Sequence, residues 1–87
     1  MALEFRDLEV SDQVESKING VHHVSIDNVL DALESVIDSE WDHDLERGTR
    51  LYVWGLAGRR VIFVCLWPLD IDGGSWRLAT AYPDAHP

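Results

Sequence analysis

Val61-Ile62-Phe63-Val64-Cys65-Leu66-Trp67 is a run of seven residues without a polar side chain, and the architecture is built around it. It is strand-sized, rich in β-branched and aromatic residues, and bounded by turn formers on both sides. A strand with one solvated face alternates apolar and polar residues, so an unbroken apolar run predicts a strand covered on both faces. Upstream, Ala57-Gly58-Arg59 predicts a hairpin turn; downstream, Asp70-Ile71-Asp72-Gly73-Gly74 predicts a looser one. Three strands follow from this punctuation, Arg50–Leu56, Arg60–Pro68 and Ser75–Tyr82, joined as an antiparallel meander. Alternation on the last puts Trp76, Leu78, Thr80 and Tyr82 on one face and Arg77, Ala79 and Ala81 on the other.

Working toward the N-terminus, Ser39–Thr49 is polar and acidic and reads as a connecting loop. Before it, Ile26, Val29, Leu30, Leu33, Val36 and Ile37 recur at helical spacing, with Asp27, Asp31, Glu34 and Asp38 on the opposite side and Ser25 as the cap. A shorter helix starts after Ser11, buries Val14 and Ile18, and stops at Asn19-Gly20. Leu3–Val10 is a lead-in or short edge strand. The expectation is one α+β domain over residues 1–87. It comprises a lead-in at 1–10, two helices over 11–38 and a three-stranded antiparallel β-meander over 50–82, packed on the helices.

The chain has 87 residues, 46% of them hydrophobic, which is enough for one modest core. No stretch reaches the ~20 apolar residues of a membrane span. The acidic N-terminal segment is unlike a secretory signal. Cys65, the single cysteine, lies inside the apolar run and reads as a buried small hydrophobe. These features predict a cytoplasmic protein with no membrane partner. The net charge is −9, unevenly spread. Residues 1–46 carry 13 of the 16 acidic side chains beside only Arg6 and Lys17. Residues 47–87 carry Asp70, Asp72 and Asp84 against Arg47, Arg50, Arg59, Arg60 and Arg77. The balance argues against strong non-specific nucleic-acid binding, which needs clustered cations, and assigns any anion contact to the second half.

Motifs for metal and cofactor chemistry are weak. His22 and His23 are adjacent and point apart in extended chain, and His43 lacks a partner at ligand spacing. Asp70, Asp72 and Gly73 lack the later bidentate acid of a calcium loop. The glycines form no phosphate-binding fingerprint, and no nucleophile has a base that sequence reveals beside it. The reading is therefore no metal and no small-molecule cofactor. Arg77 is the leading candidate site residue: small neighbours leave its guanidinium accessible, with Arg50 and Arg60 on adjacent strands. Such a cluster would hold a phosphate or a partner carboxylate; the plainer alternative is a surface arginine paired with an acid from the helical half.

The order strand, helix, helix, antiparallel strands resembles the small RelE/ParE-type toxins of toxin–antitoxin systems, and the local sequence is similar to their BrnT-like branch. The likeness is carried by Asp12–Ile18 ahead of a His-x-Val-Ser turn and by Val24–Glu34 after it. The third piece is the meander from Arg50 to Tyr82, with Gly-Arg at its first turn and Trp-Arg-Leu-Ala-Thr-Ala on its last strand. It spans roughly residues 10 to 82. The resemblance implies a RelE-like fold, RNA cleavage by basic residues on the sheet, and a neutralising antitoxin partner. Arg77 matches the last-strand arginine of that pattern, with Arg50 and Arg60 looser matches. The basic Arg/Lys/Tyr segment that follows the sheet in that family has no counterpart in these residues, and the acidity is also unlike it. Two expectations stand side by side. One is a toxin-like domain acting through a protein partner, with RNA as a further partner. The other is a non-catalytic acidic interaction module or nucleic-acid-mimicking inhibitor, working as a homodimer. In either, the face of Val61–Trp67 away from the helices is expected to meet a subunit or partner.

Overall fold

The computed structural model describes residues 3–84. In chain order it contains β1 (Asp7–Glu9), α1 (Asp12–Gly20), α2 (Ile26–Glu34), β2 (Val36–Asp44), β3 (Gly48–Ala57), β4 (Arg60–Asp70) and β5 (Ser75–Pro83). The strands form one sheet in the order β1-β5-β4-β3-β2. β1 runs parallel to β5, and every other neighbour is antiparallel.

The α+β class and the two helices agree with the sequence reading, but the sheet has five strands rather than three. The added long strand, β2, occupies what reads as the end of a helix and a loop. α2 stops at Glu34, and Ser35 leaves helical geometry at φ −128°, ψ 54°. The carbonyl of Ser35 then accepts the Leu56 amide at 3.0 Å, which starts the pairing of β2 with β3. Val36 and Ile37, which fit a helical stripe by spacing, are β-branched and enter the strand instead. A bulge between Val36 and Asp38 turns Asp38, Glu40, Asp42 and Asp44 onto the outer face. Acids are unusual in strands, which is why the segment reads as a loop.

Both helices start as the sequence predicts. The Ser11 hydroxyl accepts the Val14 amide at 3.2 Å. Ser25 and Asn28 form a reciprocal capping box, with bonds of 3.1 and 3.0 Å. The helices lie on one face of the sheet and close a core with Ile18, Val24, Val29, Ala32 and Leu33 on their side. On the sheet side are Leu51, Val53, Ile62, Val64, Leu66, Trp76 and Leu78. α2 comes closest at Gly55, where a Cβ would overlap the backbone of Ala32. Leu3, Phe5 and Leu8 pack against the same core from the N-terminal segment. Trp76 anchors that segment: its indole N–H donates to the Glu4 carbonyl at 2.8 Å and its ring meets Phe5 at 5.3 Å.

On β5 the expected facing holds for Trp76 and Leu78 but not beyond. Leu78 pairs with Leu66 and Thr80 with Cys65, leaving Ala79 unmatched in a bulge. One extra residue reverses the alternation, so Ala81 joins the core while Thr80 and Tyr82 turn outward beside Arg77.

Candidate functional site

Among the described residues the outer face of the sheet carries no helix. Its residues follow from the register: Asp42 opposite Arg50, Glu40 opposite Tyr52, Trp54 opposite Phe63, Cys65 opposite Thr80, and Trp67 opposite Arg77. β4 therefore sends Phe63, Cys65 and Trp67 to this face, and its neighbours send large rings toward them. Phe63 contacts Tyr82 at 4.8 Å and both Tyr52 and Trp54 at 5.3 Å between centroids. Laterally packed rings leave Phe63 only 8% and Cys65 only 4% exposed. The chain thus covers much of β4's second side itself, and the unbroken apolar run does not by itself require a subunit contact. Tyr52, Trp54, Trp67 and Thr80 stay half-buried and Tyr82 exposed. Together with Glu40, Arg50 and the buried pair Phe63 and Cys65, four of these (Tyr52, Trp54, Thr80 and Tyr82) line a recess of about 470 Å³.

Arg50 forms the polar centre of the face. It donates to Asp42 Oδ2 at 2.6 Å, and the Tyr52 hydroxyl donates to the same oxygen at 3.0 Å. Its guanidinium carbon lies 5.6 Å from the Tyr52 ring centroid and 5.5 Å from that of Trp67, within cation–π range. The side chain is only 17% exposed, and its Nε finds no acceptor among the described residues. The hydrogen bond from Arg50, then that from Tyr52, holds the Asp42 carboxyl below its usual range. Donation to Asp42 in turn pushes the Tyr52 phenol up. Both shifts move away from the range in which a group exchanges protons near neutrality. Burial also pushes the Cys65 thiol up, opposing thiolate chemistry.

Arg77 shares this face at its β1 side, where Glu9 receives it at 3.0 and 3.2 Å. The Arg77 side chain is 53% exposed. The arginine is paired with an acid, as in the plainer alternative, but that acid, Glu9, comes from β1 and not from a helix. Arg60 does not join the other two. It reaches Asn28 Oδ1 of the capping box at 3.1 Å, on the helix-covered side. The structure therefore brings Arg50 and Arg77 onto one face through Trp67 and separates Arg60 from them.

The described histidines are dispersed. His22 packs on Tyr82 at 5.7 Å, His43 bonds Thr49 Oγ1 at 3.1 Å and stacks on Trp41, and His23 holds a left-handed φ of 57°. Among the described residues no group of three or more His, Cys, Asp or Glu is placed to hold a metal. Asp70 accepts the Gly73 amide at 3.1 Å, the bond of a turn. No described helix is long and apolar enough to cross a membrane.

The sequence singles out Arg50 but misses what surrounds it. Asp42 is assigned to a loop, and the partnership of Tyr52, Phe63 and Tyr82 depends on a bulge that composition does not announce. Comparison with protein-family models, with curated proteins and with solved structures finds no match in any of the three.

Proposed function

We propose that this chain is a protein-binding domain related in plan to the RelE/BrnT-type toxins, and that it receives its partner on the outer sheet face. The observation that carries this reading is the ring cluster Tyr52, Trp54, Phe63 and Tyr82 around a recess with one locked arginine. Interface centres are enriched in aromatic residues and arginine and depleted of lysine, and this face has that composition. Its two arginines are matched by Asp42 and Glu9, so the surface offers no excess positive charge to a phosphate backbone. A photo-crosslinking side chain at position 80, in the recess, should yield a defined cross-linked species in cells. The same group at position 31, on the exposed side of α2, should not. Equal labelling from both positions would count against the face.

RNA cleavage in the manner of those toxins is the second reading, favoured by the half-exposed Arg77 at the margin of the face. Tight inducible expression beside Arg77→Ala tests it. Growth arrest with cut transcripts, relieved by the substitution, would establish it. Normal growth with intact transcripts would leave the binding reading alone.

A further inference from the structure

β2 ends the strand order, so its outer edge has no partner strand among the described residues. At nine residues it is long for an open edge, and all of it but the half-buried Asp42 and Asp44 is exposed. A bare edge displays unpaired backbone donors and acceptors and is a template for another strand; acidic or basic side chains are one device that decides which. Here Asp38, Glu40, Asp42 and Asp44 occupy every second position and share the outer face with the rings. Two copies of this edge would bring carboxylates against carboxylates, which opposes self-pairing. Asp42 is already held by Arg50 and Asp44 by the amides of Glu46 and Arg47, so Asp38 and Glu40 are the carboxylates left to meet lysine or arginine at alternate positions of an added strand. Glu40, in the middle, meets no cation among the described residues and also lines the aromatic recess. The opposite side of the edge shows Trp41, 36% exposed and 6.0 Å from Trp76. An added strand would set an apolar residue there between its cations.

We propose that the free edge of β2 is a docking edge for an extended basic segment of a partner protein, which adds to the sheet as a further strand. Its signature is alternation of a cation with an apolar residue. Backbone hydrogen bonds would supply affinity, and the carboxylate row would select charge and spacing. The inference rests on the protein-binding reading and names its partner's chemistry.

The test uses the intact chain and three capped nine-residue peptides. One alternates lysine and valine. The second has the same composition with its lysines in a block. The third is the alternating peptide N-methylated at alternate residues. The alternating peptide should bind roughly ten-fold more tightly than the block peptide, weaken at high salt, and shift the amide resonances of residues 36–44. N-methylation should remove most of that binding. Glu40→Gln should weaken it about three-fold, while Asp31→Asn, on α2, should leave it unchanged. Equal affinity for alternating and block peptides, indifference to N-methylation, or no binding at all would overturn the edge. Shifts centred on Trp67 and Tyr82 would also overturn it, yet leave the outer face standing. Cross-linking from position 80 judges that face independently.

Discussion

On its inner face β4 presents Ile62, Val64 and Leu66 to two helices; on its outer face it presents Phe63 and Cys65 to rings from the strands beside it. The inner residues are all fully buried, and the outer pair nearly so. Aliphatic side chains are short, so they need a second layer to exclude water. Aromatic side chains on adjacent strands are long enough to lean over a neighbour and exclude it sideways. A five-stranded sheet with helices on one side only can therefore still hold a strand that is apolar at every position. The inner face fixes the fold. The outer face keeps exposed ring edges and a recess, and remains available for contact.

The largest expected effect tests how tightly the inner face is set. Gly55→Ala would drive a Cβ into the backbone of Ala32, which cannot turn aside as a flexible side chain could. Overpacking usually costs ~1–3 kcal/mol and occasionally more; with overlapping backbone on the receiving side the cost should exceed that range and that of any single truncation. Chemical denaturation should show a sharply lowered midpoint or no cooperative transition. A wild-type midpoint would mean that α2 is free to slide on β3.

A paired truncation compares the two faces directly. Trp76→Ala removes a fully buried ring, its bond to Glu4 and its contact with Phe5, and should cost ~3–5 kcal/mol. Phe63→Ala removes the centre of the ring cluster, but its site borders solvent and its neighbours can lean in. Roughly 2 kcal/mol is expected, since the cost of a large-to-small change depends on how well the site collapses. Equal costs would make the outer cluster a second core.

The same asymmetry explains what the sequence discloses. Ser11, Ser25 and the stripe from Ile26 to Leu33 locate the helices because caps and periodicity are local signals. The run from Val61 to Trp67 locates the central strand for the same reason. β2 stays hidden because Val36 and Ile37 complete a helical stripe and four acids at alternate positions resemble a solvated loop. Only the alternation of those acids hints at a strand, and it becomes meaningful once Asp42 is seen to meet Arg50. The bulge at Ala79 is likewise invisible locally, yet it sends Tyr82 to the outer face and Ala81 to the core. Arg77 and Arg50 are nameable in advance as arginines on the sheet. Their neutralisation by Glu9 and Asp42 is not: Glu9 arrives from a strand 68 residues away, and Asp42, only eight residues before Arg50, sits in a segment that reads as a loop.

The smallest expected effect, and the one that isolates the outer face, is its pH dependence. Asp42 has its carboxyl lowered in the folded state, first by the hydrogen bond from Arg50 and then by that from Tyr52. A lowered folded value means that the stabilisation is present above the ordinary aspartate pKa of ~3.9 and fades as pH falls through the folded value. Asp44, lowered by the amides of Glu46 and Arg47, has the same sign. Tyr52 has the opposite one: its folded value is raised, so its contribution is complete below the ordinary ~10 and is lost as pH rises through the folded value. Urea midpoints of wild type and Asp42→Asn should therefore differ at neutral pH and converge in acid, because protonated Asp42 no longer offers Arg50 a charge. Asp44→Asn keeps an oxygen able to accept the two loop amides, so it should lose the pH dependence of that turn while largely keeping the turn. Truncations on the inner face remove no ionisable group, so the destabilisation from Leu66→Ala should be the same at both ends of the range. A gap between wild type and Asp42→Asn that persists unchanged in acid would mean that Asp42 supports the outer face by its shape, and that the charge on Arg50 is balanced elsewhere.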